Sequence, residues 1–564
     1  MKLLRLSPAP TMADHGGKWL ALAASIYIQC TSGSSYCFGV YSSLLKTSQS
    51  YDQSTLDSVA FFKDLGANVG VLSGLLSSSR FGAPWVVLLV GSVLCFSGYF
   101  PIWLSVTGVV PRPPLSLMCF SMLLAAQAQT FFNTSNVVTA VENFPGNRGT
   151  VIGIMKGFLG LSGAILTQIY RTLYNGNAGA FILMLACLPS LLPLLLMFFV
   201  KIHRIDGRDD KKYLDTFSII TLIIAGYLML VILGENILTL GSFVRIVTFL
   251  ILLLLLLSPL IVATKAQLHD RKTLTESSKE STQPLIGDGI YKATDEKSEG
   301  FASEEVDTKR NQIPSRKVPS VIVQGSSSQD KFLPARGENM NVLQSMLTCE
   351  FWLLFIAVAC GLGSGLATIN NISQIGGSLG YSIREVSSLV SLWSIWNFLG
   401  RFGIGYISDY FLHSRGYARP LFIVLTLTVM SIGHLIISSG LPGTLYIGST
   451  FIGLCYGSLW VLMPSITSEI FGLRHFGTIF NTIAIASPFG SYILSVRVVG
   501  YIYDKESSAS VAHTCIGRHC FMSSFLIMAS SCLLGVASSV ALFLRTRNFY
   551  SQVIYAGARA SLSP

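Results

Sequence analysis

Long apolar segments recur along the whole chain, separated by short polar loops and by one long polar tract. Each of fourteen segments reaches about 20 residues, the length that a helix needs to cross a hydrocarbon core of about 30 Å. The segments are continuously apolar rather than alternating, which favours helices over barrel strands. The predicted spans are Trp19–Leu44, Leu56–Leu76, Trp85–Val106, Leu115–Val141, Gly149–Tyr170, Ala180–Val200, Tyr213–Glu235, Phe243–Ala263, Cys349–Ile369, Val386–Tyr410, Pro420–Ser439, Thr444–Pro464, Gly477–Val499 and Phe521–Leu544.

The spans fall into a group of six, a pair, the polar tract and a second group of six. The tract, Thr264 to about Asn341, is rich in Ser, Lys, Glu and Gln and poor in aromatic residues. Such a composition cannot bury enough surface to fold, so it predicts a disordered linker. The predicted organisation is a cytosolic N-terminus (1–18), a six-helix half (19–200), two additional helices (201–263), a disordered cytosolic loop (264–345), a second six-helix half (346–545) and a cytosolic tail (546–564).

Composition supports an all-α polytopic membrane protein. The chain is 51% hydrophobic and only 12% charged, about half the charged fraction of a soluble protein. Sixteen Lys and Arg lie in the loops on one side and six on the other, which predicts cytosolic termini by the positive-inside rule. The net charge of +11 therefore indicates contact with anionic lipid rather than with nucleic acid. The plasma membrane and the vacuolar or other endomembranes are both compatible with this pattern.

A short motif occurs twice at equivalent places. Glu142-Asn-Phe-Pro-Gly-Asn-Arg148-Gly-Thr follows the fourth span of the first half, and Glu469-Ile-Phe-Gly-Leu-Arg474-His-Phe-Gly-Thr follows the fourth span of the second. Duplicated halves with a substrate between them are a common transporter design. We interpret Glu142, Arg148, Glu469 and Arg474 as candidates for a latch at the inner rim.

A second motif lies after the second span of the C-terminal half. The sequence Gly400-Arg401-Phe-Gly-Ile-Gly405-Tyr-Ile-Ser-Asp409, followed by Arg415 and Arg419, resembles the inner-loop motif of the major facilitator superfamily. The resemblance implies that these residues latch the two halves together in one conformation. Arg401, Gly405, Asp409 and Arg415 are the latch candidates that it suggests. In the first half Ser78 replaces the acid, so a latch there is not implied.

The chain also resembles a narrower group, the plant nodulin-like branch that includes the nuclear-fusion-defective type. The matching stretches include Lys63-Asp-Leu-Gly66, Asn143-Phe-Pro-Gly-Asn-Arg-Gly-Thr150 and Gly363-Ser-Gly-Leu-Ala-Thr-Ile-Asn-Asn371. The resemblance implies the major facilitator fold, with two six-helix halves, about two extra helices and the long cytosolic loop. It implies a transporter-type protein and fixes no substrate.

Few charged residues lie well inside the spans, and such residues usually face a cavity or a partner. Lys63 and Asp64 are adjacent, and we expect their side chains to diverge by about 100° rather than to pair. Asp64 shares a helix face with Asn68. Lys156 is predicted to face a central cavity, where it contacts an anionic solute or pairs with Asp64. A helix-packing ion pair without contact to substrate is the structural alternative.

Other polar and aromatic residues extend the set of substrate-binding candidates. Their hydrogen bonds and ring faces suit a small polar solute, although about half of them are expected to make ordinary interhelical hydrogen bonds. They are Gln127 and Asn133 in the first half and Asn370, Asn371, Gln374, Trp396 and Asn397 in the second.

The last outer loop contains Cys515 and Cys520 beside two histidines. A disulfide is predicted if that face is oxidising. A metal site is the alternative, but the spacing fits no standard zinc pattern, so we predict no metal and no other cofactor. The chain has no Walker loop, nucleophile elbow or His-Glu-x-x-His motif, so ATP-driven transport and enzymatic activity are not predicted.

The predicted function is secondary-active transport of a small polar solute by alternating access. Proton coupling through Asp64 or Glu142 is left open. The competing hypothesis is a transporter-like receptor or scaffold that moves no solute. The two hypotheses predict different residues at the centre of the protein. A transporter needs polar groups from both halves near the midplane of the membrane, whereas a scaffold tolerates apolar packing there.

Overall fold

The computed structural model describes residues 17–51, 53–79, 82–174, 177–203, 210–237, 241–280, 334–507 and 515–554, and no strand occurs among them. Within these ranges, twelve helical segments are long and apolar enough to cross a membrane. The first and tenth predicted spans are absent from those twelve, yet both positions are helical. The chain is thus an all-helical, multi-pass integral membrane protein.

The first half, α1 to α8, provides six membrane crossings because two of them are built from helix pairs. The first crossing combines α1 and α2, and the second combines α3 and α4. The helices are α1 (Gly17–Ser32), α2 (Phe38–Gln49), α3 (Gln53–Asn68), α4 (Val71–Ser78), α5 (Pro84–Val106), α6 (Leu115–Asn143), α7 (Arg148–Leu173) and α8 (Ala178–Leu196).

Both interruptions occur at a glycine that approaches another helix closely. A Cβ on Gly33 would lie 3.1 Å from the Leu159 carbonyl oxygen of α7. A Cβ on Gly70 would overlap the side chain of Asn481 in the second half. Only glycine allows such an approach, so the broken helices let α1 and α4 pack tightly at these points.

The two additional helices are α9 (Asp210–Ile237) and α10 (Ser242–Glu280), and they pack on the first half. The indole of Trp19 in α1 stacks on Phe217 of α9, with 6.1 Å between ring centroids. The Trp19 Nε1 also donates a hydrogen bond to Asp270 of α10. Tyr27 of α1 donates another to the Leu256 carbonyl. The contacts of Trp19 and Tyr27 therefore hold α9 and α10 beside α1.

The second half, α12 to α20, repeats the six crossings. Its fifth crossing combines α17, α18, a π-helical turn at Tyr492–Gly500 and α19. The helices are α11 (Val342–Met346), α12 (Cys349–Asn370), α13 (Ile372–Ser378), α14 (Ile383–Arg415), α15 (Pro420–Ser438), α16 (Thr444–Ile470), α17 (Phe476–Ala484), α18 (Ala486–Ser491), α19 (Tyr501–Ser507) and α20 (His519–Phe549).

The boundaries of the predicted loop, 264–345, differ from those of the structure at both ends. Helix α10 continues to Glu280, because the residues after the apolar segment include many good helix formers and no proline. At the other end, the Gly337 and Met340 amides donate hydrogen bonds to the Ile470 and Phe471 carbonyls. Residues 281–333, the greater part of the predicted loop, lie outside the described residues.

The two halves share one apolar core along their contact. A cluster of buried side chains runs from Ile26 and Met155 in the first half to Leu362 and Phe398 in the second. A second cluster is confined to the first half. Packing of α7 against α14 and of α4 against α17 brings the halves together. These two contacts position the candidate site.

Candidate functional site

A buried polar network joins the halves where the α6–α7 and α16–α17 turns meet, which we call the latch end. The Asp409 carboxylate of α14 accepts hydrogen bonds from the backbone amides of Gly149, at 3.1 Å, and Thr150, at 2.5 Å. These amides belong to the first turn of α7, where unpaired N–H groups and the helix dipole favour an anion. Asp409 of the second half thus caps a helix of the first.

Arg419 holds this carboxylate in place. It forms ion pairs with Asp409 and, through Nε, with Glu469 Oε1 at 2.7 Å. Burial disfavours the charge of this 1% exposed side chain, but Glu469 and Asp409 outweigh that effect and raise the pKa of Arg419. The second Glu469 oxygen accepts a hydrogen bond from the Tyr550 hydroxyl. One cation therefore compensates two buried carboxylates.

The structure corrects the assignment of the basic latch residue. Arg415, the predicted candidate, is exposed at the last turn of α14. Gly416 ends that helix with φ of +69°, and the chain then turns back, so Arg419 points into the bundle. Arg474 is also exposed, whereas Arg148 donates a hydrogen bond across the halves to the Ser468 carbonyl at 2.9 Å.

A neutral contact related to this latch lies on the other side of the interface. The Thr478 hydroxyl donates a hydrogen bond to the Gly74 carbonyl and accepts one from the Ser78 hydroxyl, each at 2.7 Å. Ser78 thus bonds to the start of α17 as Asp409 bonds to the start of α7. The Ser78 position therefore does contact the other half, although it supplies a hydroxyl in place of a carboxylate.

Two glycines allow the helices that carry this charged network to approach each other closely. A Cβ on Gly149 would lie 2.7 Å from the Gly405 carbonyl oxygen and 2.8 Å from Asp409 Oδ1. Both distances are shorter than van der Waals contact permits. A Cβ on Gly405 of the predicted motif would likewise overlap the Gly149 carbonyl oxygen, so both glycines are needed for the close approach of α14 to α7.

A central cavity of about 120 Å³ lies between the halves. Five of the predicted binding residues line it, together with Arg401, which we had assigned to the latch. Its exposed members, Tyr36 and Asp64, belong to elements that lead towards the end opposite the latch. The lining residues are Ser35, Tyr36, Lys63, Asp64, Ala67, Asn68, Gln129, Thr130, Asn133, Lys156, Leu159, Leu366, Arg401, Tyr456, Trp460, Phe480, Asn481 and Ala484.

Lys63 and Asp64 form an ion pair, contrary to our expectation. The Lys63 Nζ lies 2.9 Å from Asp64 Oδ1. The prediction considered only the directions of the Cα–Cβ bonds, but the four-carbon lysine stem is flexible enough to reach its neighbour. The ammonium also lies 5.2 Å from the centroid of the Phe38 ring. These two opposite charges compensate each other.

Lys156 has no such compensation. Its side chain is buried, and no carboxylate of the described residues lies within 4.0 Å of its ammonium. Its Nζ lies over the rings of Trp460, 5.1 Å from the centroid, and Phe480, 5.7 Å from the centroid. The predicted pair with Asp64 is therefore not formed in this conformation.

Arg401 lies beside Lys156 in the cavity, neither in the latch network nor facing lipid. Its Nη1 donates a hydrogen bond to the Lys156 carbonyl at 3.1 Å, and its Nε donates one to Asn397 Oδ1 at 2.9 Å. These acceptors are neutral, so the guanidinium keeps its charge uncompensated. The sequence motif placed Arg401 near the latch, but two helical turns separate it from Asp409.

A further polar atom at the cavity, Asn133 Oδ1, is buried without a hydrogen-bond partner among the described residues. A buried polar atom left unpaired costs about 1–3 kcal/mol, so this oxygen is expected to bind water or a ligand.

The remaining candidates do not line the cavity. Gln127 donates to the Val69 carbonyl at the break between α3 and α4, and Asn371 donates to the Ser495 hydroxyl. Both are interhelical hydrogen bonds of the ordinary kind. Asn370 and Gln374 are exposed, Trp396 packs against Gly453 of α16, and Asn397 orients Arg401.

A larger vestibule of about 890 Å³ opens at the latch end. Glu142, Arg148, Glu469 and Arg474 of the duplicated motif all line it. The segment after the polar tract reaches the same place, where Asn339 Oδ1 accepts hydrogen bonds from the Leu473 and Arg474 amides. The repeated motif thus forms the rim of this vestibule, and only part of it enters the buried latch.

Cys515 and Cys520 are joined by a disulfide. His519 Nε2 lies 3.6 Å from the Cys515 sulfur, so the three residues form a compact group with metal-ligand chemistry. Both sulfur atoms are occupied by the bond, which leaves the imidazole as the remaining donor of this group.

Several site residues were missed by sequence reasoning. Trp460 and Phe480 lie in predicted spans with no feature that distinguishes them from other apolar residues, and Tyr550 lies in the predicted tail. The duplicated motif could have located Asn481, because it lies four residues after Gly477, as Gly153 lies four residues after Gly149. In each half, the residue four positions after the motif glycine therefore faces the opposite half.

Comparisons with known proteins agree with this architecture. Residues 18–264 match the Nodulin-like family and residues 337–552 match the NFD4 C-terminal domain. The chain is 26% identical to Protein NUCLEAR FUSION DEFECTIVE 4 of Arabidopsis thaliana, over 97% of this chain and 92% of the relative. It is 27% identical to the Probable transporter MCH1 of Candida glabrata, over 34% and 42% respectively.

Among solved structures, the chain is similar to the major facilitator superfamily proton:xylose symporter XylE bound to 6-bromo-6-deoxy-D-glucose. The TM-score is 0.51 with 13% identity, and the match covers 93% of this chain and 94% of XylE. At this identity the likeness concerns the fold.

Proposed function

Because this chain belongs to the nodulin-like branch of the major facilitator superfamily, we propose that it is a secondary-active transporter. It moves a small polar solute across the membrane by alternating access between its two halves. The solute binds in the central cavity, and the latch closes one end of the path.

The composition of the cavity wall carries this proposal. The first half contributes Lys63, Asp64 and Asn133, and the second contributes Arg401 and Asn481. Burying polar and charged groups between packed helices is costly unless they have a ligand or partner. A receptor or scaffold would not need to maintain such a wall, so its polarity favours transport over the competing function.

The latch supports the alternating-access mechanism. Asp409 belongs to the second half, and the amides of Gly149 and Thr150 belong to the first. These bonds exist only while the halves are together at the latch end. Rocking of the halves about the cavity would break them and open the vestibule to the solute.

The names of relatives point in the same direction. The fungal MCH1 protein is described as a probable transporter, and XylE is described as a proton:xylose symporter. For this chain, we keep open whether transport is coupled to protons, with Asp64 or Glu142 as the group that carries the proton. The positive-inside distribution of basic residues supports a cytosolic latch end and cytosolic termini, in the plasma membrane, the vacuolar membrane or another endomembrane.

Uptake into proteoliposomes tests the proposal. The purified chain is reconstituted and offered a panel of labelled sugars, amino acids, carboxylates and nucleosides, with and without a pH gradient. Saturable uptake of at least one solute is expected, and its acceleration by an inward proton gradient would support coupling. If the folded protein takes up none of them and none changes its thermal stability, the receptor or scaffold function replaces transport.

A further inference from the structure

The charges on the cavity wall do not balance. Lys63 and Asp64 compensate each other at 2.9 Å. Lys156 and Arg401 are the other two basic side chains of the lining, and Arg401 lies beside Lys156, whose backbone carbonyl it bonds at 3.1 Å. When both are protonated, the lining carries two positive charges, one from each half, without a carboxylate partner among the described residues.

Neither cation has an anionic partner among the described residues. The contacts of Lys156 are aromatic faces, and those of Arg401 are the oxygens of Asn397 and of the Lys156 backbone. Buried charges in proteins are normally paired, and two like charges at one site are especially unfavourable. An anion between them would remove both penalties. A guanidinium and an ammonium are also the side chains best suited to bind a carboxylate.

The size of the cavity and the residues that line it restrict the kinds of anion that can bind. A volume of about 120 Å³ suits a small organic anion rather than a large one. The rings of Tyr456, Trp460 and Phe480 supply apolar surface for its carbon atoms, and the unpaired Asn133 Oδ1 can accept a hydrogen bond from a further polar group.

We infer that the solute is a small organic carboxylate bound between Lys156 of the first half and Arg401 of the second. This inference rests on the proposed transport function and specifies its substrate class. Because the two cations belong to different halves, the bound anion links the halves while it neutralises them. Sugars and other uncharged solutes lack this effect.

Competition in proteoliposomes tests the assignment. Uptake of labelled propionate, lactate, malonate and succinate is measured, with the corresponding uncharged amides and inorganic phosphate as competitors. At least one labelled carboxylate is expected to be taken up. Other carboxylates should inhibit this uptake at least tenfold more strongly than the amides or phosphate do. The Lys156→Met and Arg401→Gln variants should each lower that uptake at least tenfold, whereas Lys156→Arg should lower it less than Lys156→Met.

Two controls separate loss of binding from loss of folding. Lys265, exposed on α10, receives the same change to Met and should transport like the unsubstituted protein. Replacing an uncompensated buried cation by an apolar side chain removes a desolvation cost. The Lys156→Met protein should therefore unfold at an equal or higher temperature than the parent without solute, and lose the shift that the transported carboxylate produces in the parent.

The outcomes distinguish the two proposals. Uptake of an uncharged solute but of no carboxylate would overturn the inference and leave the transport function standing. Stronger inhibition by phosphate than by carboxylates, or undiminished carboxylate uptake by Lys156→Met, would also overturn it. Absence of uptake and of ligand-induced stabilisation for every solute of the wider panel would overturn the transport function itself.

Discussion

Replacing Asp409 by Asn is predicted to open the latch end without unfolding the protein. Asp409 receives two hydrogen bonds from the first half, from the Gly149 and Thr150 amides. Hydrogen bonds to a charged group contribute about 1.5–3 kcal/mol each, against about 1 kcal/mol for neutral ones. The isosteric amide keeps one acceptor oxygen, so with the lower value of about 1.5 kcal/mol for each charged bond and about 1 kcal/mol for the remaining neutral one, the loss across the interface is about 2 kcal/mol.

This loss acts on the closed conformation, because the two bonds to α7 are present only there. Arg419 and Asp409 both belong to the second half, so the change in their ion pair affects both conformations alike. The remaining Glu469 still pairs with Arg419 at 2.7 Å. A difference of about 2 kcal/mol corresponds to an increase of about 30-fold in the ratio of open to closed protein, since 1.4 kcal/mol is tenfold.

Thiol labelling measures this ratio. A cysteine at Ala484 on the cavity wall, in a Cys349→Ser background that removes the exposed native thiol, is treated from the latch end with a membrane-impermeant maleimide. The labelling rate should rise about 30-fold with Asp409→Asn. Glu385→Gln is the matched control, because Glu385 lies on the same helix and, among the described residues, forms its hydrogen bonds with Ser382 of its own N-cap. Equal rates for Asp409→Asn and the background would refute the latch.

Three further predictions follow from the same network and its surroundings. Arg419→Met should lower the free energy of unfolding by about 3–5 kcal/mol because it removes the ion-pair partner of two buried carboxylates, whereas Arg415→Met should change it by less than about 0.5 kcal/mol. Detergent unfolding curves compare the two variants, and equal effects would contradict the corrected assignment. Gly405→Ala should accelerate labelling from the latch end because its methyl group meets the α7 backbone, and Gly403→Ala, which has open space around it, should not; a similar rate for both would disprove the close-approach argument. Cys515→Ser should cost about 2 kcal/mol, as loop-closure entropy gives for so short a loop; an unchanged thermal midpoint would show that the bond does not stabilise the protein.

The fold was predictable from the sequence to the extent that apolar length and loop charge determine it. Each of the fourteen predicted spans is mostly helical, although Ala180–Val200 extends beyond the end of α8 at Leu196. The breaks within the first, second and thirteenth spans were not predicted, because hydropathy measures the preference for membrane and not the contact that each residue makes. Gly33 and Gly70 interrupt their helices where another helix approaches, and that approach is a tertiary property.

The latch shows which contacts a sequence motif can predict and which it cannot. The pairing of Asp409 with a helix start follows from the acid and the duplicated Gly-Thr, but the choice between Arg415 and Arg419 depends on where α14 ends. Gly416, with its positive φ, reverses the chain direction within one turn. Sequence spacing alone does not reveal which of two neighbouring arginines then points inward.

The cavity was predicted only in part for a related reason. Lys63, Asp64 and Lys156 stood out because charges are rare in spans, and all three line the cavity. The aromatic residues around Lys156 could not be distinguished from other apolar residues, since packing and binding select the same side chains. Lys63 and Asp64 pair because the lysine side chain is flexible. The angle between consecutive positions of a helix, on which the prediction was based, does not take this flexibility into account.

Uptake by a reversibly locked protein tests the central claim most directly. The Ser78 and Thr478 hydroxyl oxygens lie 2.7 Å apart across the two halves, so cysteines at both positions should form a disulfide while the latch end is closed. If the protein transports by alternating access, oxidation of this double variant should stop solute uptake and reduction should restore it, while the parent protein treated identically keeps its activity. Uptake at the same rate by the locked and unlocked forms would contradict the account.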